Sequence, residues 1–185
     1  LSKKNMVLLV HCTFSPSEPL LEFARDIFLF SFYTRGMSLV DIVFLRKEHI
    51  FDNAIHYVRH KSSQPLRITI TEPLAALIAK YDNVFPYIFP ILRDNAPFSH
   101  YDQYRSALAR INRNLKRVGL KLGLTTPLTT YVARHTWATL AKQCGAPVAV
   151  ISEGLGHASE KITHIYLKEF DSDVLDRINE IVTRL

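Results

Sequence analysis

Three segments in the last third of the chain carry side chains suited to chemistry on a phosphate or on a proton. They are YVARHTW at 131–137, LGH at 155–157 and the tyrosine of KITHIY, Tyr166. An arginine such as Arg134 presents a planar fork of N–H donors, and a histidine such as His157 changes its charge close to neutral pH. The stretch 155–166 is too polar for ordinary core, so these side chains indicate a site.

The order of these segments resembles the tyrosine recombinases, the phage integrase family, whose pattern is His-x-x-Arg, then Leu-Gly-His, then a nucleophilic tyrosine. The stretches ARHTWATLA and ISEGLGHASEKITHIY match the characteristic segments of that family. The resemblance extends over essentially the whole chain from near Phe23. The earlier stretch TRGM is similar to a subgroup, the integrases of conjugative mobile elements. The resemblance implies the catalytic-domain fold of the family.

The resemblance also implies a reaction. Tyr166 would attack a DNA phosphodiester, form a 3′-phosphotyrosyl link and release a 5′-hydroxyl, which allows rejoining without ATP, metal or cofactor. Arg134 is assigned to two nonbridging phosphate oxygens, and His157 to proton transfer or hydrogen bonding at the phosphate. Lys61, at the tip of a predicted hairpin, is assigned to protonation of the leaving 5′-oxygen. Outside this family, a hairpin lysine is most often a solubilising charge.

The sequence departs from the family pattern at two positions. Tyr131 stands where the family has its first histidine, and a tyrosine there positions a phosphate or packs, because it does not titrate near neutrality. Ser38 stands where the first arginine is expected. We assign that role to Arg35, three residues earlier, in preference to a structural salt bridge. Ser38 is then expected to cap the following helix, and Asp41 to brace the arginines.

A basic helix is expected after residue 100. An apolar stripe at helical spacing places its arginines on the opposite face, where they would meet DNA phosphates. The alternative is a solvated helix face, which normally mixes charges of both signs. The stripe is Leu108, Ile111, Leu115 and Val118, and the predicted DNA contacts are Arg110, Arg113 and Arg117.

The predicted fold class is mainly α with a small antiparallel β-sheet. Helical periodicity and cap residues predict the helices, and alternation on either side of KSSQ predicts two strands joined as a hairpin. The stretch 82–100 is expected to be loop. The predicted helices cover 20–33, a short segment from Ser38, 73–81, the basic helix, 131–144, 147–155, a short helix capped by Ser159 that carries Tyr166, and an amphipathic helix at 172–185.

Composition limits the classes of protein. The chain has 185 residues and a net charge of +6, and its two cysteines show no metal-binding or disulfide spacing. It shows no membrane span or export signal, so we expect a cytoplasmic protein, nucleoid-associated when on DNA. His56 and His60 would lie roughly 13 Å apart on a strand at about 3.3 Å per residue, which predicts no metal site. Because the chain starts at Leu1, we expect a single catalytic domain, 1–185, without the N-terminal DNA-clamping domain of the family.

The functional hypothesis is site-specific recombination of double-stranded DNA through a Holliday junction. Its expected partners are other copies of the chain, as a tetramer on DNA, and accessory DNA-bending proteins. The final helix is expected either to dock onto a neighbouring subunit or to pack on its own core. The alternatives are a type IB topoisomerase, a DNA-binding member that has lost cleavage, and a metal-dependent nuclease, against which the lack of a carboxylate cluster argues.

Overall fold

The computed structural model describes residues 1–157 together with Lys161, Thr163 and Thr183. This part of the chain is mostly helical and has one small sheet, so the fold class predicted from the sequence is confirmed. The helices are α1 (Lys3–His11), α2 (Pro19–Tyr33), α3 (Leu39–Phe44), α4 (Glu72–Lys80), α5 (His100–Lys121), α6 (Thr130–Gln143) and α7 (Val148–Gly154), with a 3₁₀ turn at Lys47–His49. The strands are β1 (Ile50–Phe51), β2 (Ala54–Val58) and β3 (Pro65–Thr69).

The core is organised around α2, whose sequence is apolar on nearly every side. Pro19 occupies its first turn, where the missing N–H costs no helical hydrogen bond. Ile27, Phe28 and Phe30 are fully buried, and α5 and α6 pack against this helix. Helix α2 therefore supports both of the helices that the sequence predicts to carry DNA-binding and catalytic side chains.

The sheet has three antiparallel strands in the order β1-β2-β3. The predicted hairpin is present as β2 and β3, with Ile55 opposite Ile68. The β1 strand was not predicted, because a two-residue strand leaves no alternation to recognise. Asp52 and Asn53, both with positive φ, reverse the chain between β1 and β2, as the tightest hairpin turns require.

The two faces of α5 are as predicted. Ser99 caps the helix by accepting a hydrogen bond from the Asp102 N–H at 3.1 Å. Ile111, Leu115 and Val118 are buried, and Leu108 packs against the same core. The three arginines of the opposite face, Arg110, Arg113 and Arg117, are exposed.

Several boundaries differ from the predictions. Helix α1 was not predicted; Ser2 caps it, and it buries Met6 and Leu9. Ser38 does occupy the N-cap position of α3, but its side chain does not cap the helix. The predicted cap at Ser159 and the two helices expected after it fall outside the described residues. Among the helices that are described, none combines the length and apolar character needed to cross a membrane.

Candidate active site

The turn that ends α2 forms one wall of the site. Arg35 and Gly36 both have left-handed backbone conformations, with φ of 59° and 78°, and the Gly36 N–H donates to the Ser31 carbonyl at 2.7 Å. A Cβ built on Gly36 would lie 2.7 Å from the Cα of Arg134. Only glycine therefore allows the main chain of this turn to approach α6 so closely.

Arg134 joins this turn to the turn that follows α7. It is buried, with 4% of its surface exposed. One terminal nitrogen donates to the Gly36 carbonyl at 2.8 Å and the other donates to the Leu155 carbonyl. The fork of Arg134 was predicted to hold phosphate oxygens; the structure shows that two of its five N–H donors hold main-chain carbonyls.

His157 lies directly after the turn formed by Leu155 and Gly156. Gly156 has φ of 63°, and the His157 N–H donates to the Ser152 carbonyl at 3.0 Å. The ring is 6% exposed, and its Nδ1 lies 2.8 Å from the Thr163 hydroxyl. Burial, reinforced by nearby positive charges, lowers the pKa of His157 to about 4. The ring is therefore neutral at pH 7.

The positive charges that act on His157 come from two elements. They are Arg134 on α6 and, from the β2–β3 connection, Arg59 and Lys61. Lys61 is exposed at the tip of this connection, which the sequence analysis predicted, and the structure brings it into the surroundings of His157. A hairpin residue and a residue of the Leu-Gly-His turn thus share one site although they are distant in sequence.

Sequence reasoning missed the contacts that join these two segments. Arg59 is buried and donates to the Gly156 carbonyl through a terminal nitrogen. The Ser62 hydroxyl donates to the same carbonyl at 3.0 Å. The signal for Arg59 was present in the strand alternation, which places it on the same side as Ile55 and Tyr57. An arginine on the buried side of a strand needs a partner in the interior.

Asp41 holds the hairpin connection through hydrogen bonds. Its Oδ1 accepts a hydrogen bond from the His60 N–H at 2.8 Å, and its Oδ2 accepts one from the Ser38 hydroxyl at 2.5 Å. Within the described residues it forms no ion pair with an arginine. The carboxylate thus holds the connection that carries Lys61, and its predicted role as a brace for the arginines stays a prediction.

Arg35 also lies close to this cluster. Its stem runs beside Gly154, where an added Cβ would be 3.7 Å from the Arg35 Cδ. Burial and Asp41 raise the pKa of the Tyr57 hydroxyl, and the charges of Arg134, Arg59 and Arg35 oppose that rise. Among residues 1–157, no carboxylate lies within 4 Å of Arg35, so the structural salt bridge weighed for it is not found there.

The contacts described above do not place two of the predicted catalytic residues, Tyr131 and Tyr166, beside Arg134 and His157. Tyr131, in the first turn of α6, is 54% exposed and its ring lies edge-on to His135 at a centroid distance of 4.6 Å. Tyr166 lies outside the described residues. The structure thus brings together Arg35, Lys61, Arg134 and His157.

The two histidines weighed as metal ligands have separate contacts, and only His56 lies on a strand, because β2 ends at Val58 and His60 falls in the connection. The His56 ring stacks on Phe51 with centroids 3.8 Å apart, and the main chain of His60 is held by Asp41. In the part of the chain that the structure describes, no three His, Cys, Asp or Glu side chains are grouped so that they could hold a metal ion.

Comparisons with known proteins agree with this geometry. The model described as the phage integrase family matches residues 9–173. A tyrosine recombinase of Pseudothermotoga lettingae is 27% identical over 176 residues, which cover 90% of this chain and 59% of that protein. The chain spans about half to three-fifths of the length of the curated relatives that it matches first.

Solved structures share the fold. The XerA recombinase matches with a TM-score of 0.70 at 21% identity, over 100% of this chain and 65% of that chain. The Tn1549 transposon integrase in complex with a circular intermediate DNA matches with a TM-score of 0.62 at 16% identity, over 91% of this chain and 65% of that chain. The arrangement of helices and sheet described above is therefore the one found in recombinases.

Proposed function

Because the chain belongs to the phage integrase family, we propose that it is the DNA-cleaving part of a site-specific recombinase. The observation that carries this proposal is the convergence of positive side chains around His157. Among the described residues, Arg35, Arg59 and Lys61 have no carboxylate within 4 Å. Positive charges gathered without acidic partners repel one another, and an anion such as a DNA phosphodiester relieves that repulsion.

The proposed reaction exchanges one phosphate ester for another. The Tyr166 oxygen attacks phosphorus, the bond from phosphorus to the 5′-oxygen breaks, and a 3′-phosphotyrosyl link forms. The phenol proton leaves to a base, and Lys61 supplies a proton to the 5′-oxygen. Arg134 and Arg35 stabilise the charge that develops on the phosphate oxygens. Rejoining is the reverse of these steps, so the bond energy is kept.

The role of His157 follows from its neutral state. A neutral imidazole has one nitrogen that donates and one that accepts, so it can either receive the phenol proton or donate to a phosphate oxygen. The contact between Nδ1 and Thr163 fixes the orientation of the ring for this task. A phosphate bound beside the ring adds negative charge, which raises the pKa of His157 from about 4.

Recombination needs more than one cleavage. We propose that copies of the protein assemble as a tetramer on duplex DNA, cut in pairs and exchange strands through a Holliday junction. The exposed face of α5, with Arg110, Arg113 and Arg117, is suited to hold the phosphate backbone without reading sequence. A place in a mobile element agrees with the fold shared with a transposon integrase. The N-terminal clamping domain and the accessory DNA-bending proteins stay predictions.

The test is a covalent-trapping assay with the protein in its natural full length. The probe is a pool of end-labelled duplexes with a randomised central sequence and a nick in one strand, because the short piece released at the nick prevents rejoining. The wild-type protein is expected to form a product that stays attached in denaturing gels and forms equally with EDTA. Tyr166→Phe should abolish it. Tyr131→Phe, which keeps the ring contact with His135, should still form it.

The same assay separates the alternatives. Binding of the pool without any covalent product in the wild type would favour a member that has lost cleavage. Products with free ends that disappear with EDTA would indicate a metal-dependent nuclease. A protein that forms the covalent product and relaxes supercoiled plasmid, but does not exchange strands between two copies of the selected sequence, would be a topoisomerase.

A further inference from the structure

The hairpin and the Leu155–His157 turn are joined at the Gly156 carbonyl, and the hydrogen bonds to this carbonyl are called the joint. It accepts two hydrogen bonds, both from the β2–β3 connection, one from the Arg59 guanidinium and one from the Ser62 hydroxyl. Lys61 lies between these two donors in the sequence. The residue on the other side of the joint, His157, follows Gly156 directly. The two donors therefore flank one proposed catalytic residue, and their acceptor adjoins the other.

Burial of the Arg59 charge is energetically unfavourable. Its side chain is 7% exposed, its Nε makes no hydrogen bond to any described residue, and no described carboxylate lies within 4 Å of it. Burying a charge without an acidic partner is unfavourable compared with an apolar residue of similar size. A residue needed only to fill this space would more favourably be apolar. The burial of Arg59 thus indicates that the hydrogen bond from its guanidinium to the Gly156 carbonyl has a role.

The hairpin and the Leu155–His157 turn are also packed closely against each other. A Cβ added to Gly156 would lie 2.8 Å from the Leu66 Cδ1 and 3.1 Å from the Arg59 Cδ. The main chain of Gly156 therefore rests directly on the hairpin. The main chain of Arg59 also holds the two ends of the β2–β3 connection together. Its N–H donates to the Gln64 carbonyl and its carbonyl accepts from the Ser63 N–H, each at 2.8 Å. A shift of the hairpin tip would strain both segments.

We propose that Arg59 is a positioning residue that ties the hairpin connection to Gly156 and so holds Lys61 at the phosphate beside His157. This proposal rests on the proposed function and adds a residue to it. The guanidinium does not touch the reacting atoms; it acts through the placement of Lys61. Ser62 supports the same joint with a weaker, neutral hydrogen bond.

The first part of the test compares two leaving groups. One nicked duplex has an ordinary scissile phosphate, and the other has sulfur in place of the bridging 5′-oxygen, so that a thiolate leaves without needing a proton. If Arg59 places Lys61, Arg59→Met should slow adduct formation on the ordinary duplex by about 100-fold, the loss expected from a misplacement of about 1 Å. On the sulfur duplex the same variant should come within a few-fold of wild type. Lys61→Met should show the same pattern.

Controls distinguish placement from general damage to the fold. Arg67→Met changes an exposed arginine of the same hairpin and should cleave both duplexes like wild type. Ser62→Ala removes the second donor to Gly156 without touching the buried charge, and should show a smaller loss that sulfur also restores. The double variant Arg59→Met with Lys61→Met should be no slower than Lys61→Met alone.

Two results would overturn the role of Arg59. Equal losses on the two duplexes would show that Arg59 supports the fold or the phosphate and not the leaving group. An unchanged rate on the ordinary duplex for both Arg59→Met and Ser62→Ala would show that the joint is not needed. Failure of the wild type on both duplexes is a separate result, because it would overturn the proposed function itself.

Discussion

Gly36→Ala is expected to damage the site through a single methyl group. Gly36 has φ of +78°, and the added Cβ would lie 2.7 Å from both the Cα and the Cγ of Arg134 and 2.9 Å from its Cβ. Two of these three atoms belong to the part of α6 that cannot rotate away, so the clash moves the main chain or the arginine. Gly145→Ala is the matched control, because Gly145 has φ of +86° and open space around its added Cβ.

The two variants share one cost and differ in another. Both place alanine in the left-handed region, which costs roughly 1–2 kcal/mol. Part of this is offset, by about 0.4–1 kcal/mol, because alanine restricts the unfolded chain. Gly36→Ala adds overpacking of a buried site, typically about 1–3 kcal/mol. The difference in the free energy of unfolding between the variants should therefore be about 1–3 kcal/mol, or very roughly 2–12 °C in Tm for a domain of this size.

Thermal unfolding and adduct formation together test this reasoning. Gly145→Ala should unfold slightly below wild type and form the covalent DNA product at the wild-type rate. Gly36→Ala should unfold lower still, and below its Tm it should form the product about 100-fold more slowly, because Arg134 is displaced from its phosphate. Equal Tm values for the two variants, or a wild-type rate for Gly36→Ala, would refute the claim that Gly36 sets the position of Arg134.

Two further predictions concern charge. The pKa of His157 is about 4 in the folded chain and ordinarily 6.5, so the unfolded chain binds the proton first as the pH falls. The free energy of unfolding should therefore fall as the pH drops from about 6.5 toward 4. Denaturant titration at each pH should show a less steep fall in His157→Gln. A pH profile identical in the variant would contradict this pKa. For DNA, Arg113→Gln and Arg117→Gln should each lower the slope of log affinity against log salt by about one, measured by fluorescence anisotropy. Lys121→Gln is the control, because Lys121 already pairs with Glu18 at 2.6 Å; an equal effect there would argue against a phosphate-binding face.

The sequence predicted the elements whose pattern repeats over several turns. The buried α2 and the two faces of α5 follow from apolar spacing alone, and the hairpin follows from its alternation. The β1 strand and α1 were missed because their signals are short or weak. Ser38 shows a different limit, because the spacing placed it at the N-cap but its hydroxyl bonds to the Asp41 carboxylate. Local pattern fixes a position, whereas the partner of a polar side chain depends on what the fold brings near.

The site could be predicted in its residue types but not in its connections. Arg134 and His157 are recognisable from motifs, and Lys61 from its place in a hairpin. That Arg134 holds the carbonyls of Gly36 and Leu155 could not be predicted, because these contacts join segments distant in sequence. The joint at Gly156 is of the same kind. Such contacts depend on tertiary packing and carry no local pattern.

Identification of the amino acid that bears DNA in the covalent product is the decisive test of the proposed nucleophile. The trapped complex is digested with nuclease and protease, and the nucleotide-bearing peptide is sequenced by tandem mass spectrometry. We expect a nucleotide joined through its 3′-phosphate to Tyr166, within a peptide that also contains His164. A nucleotide on any other residue would show that Tyr166 is not the nucleophile, and one joined through a 5′-phosphate would show that the link is not a 3′-phosphotyrosyl ester.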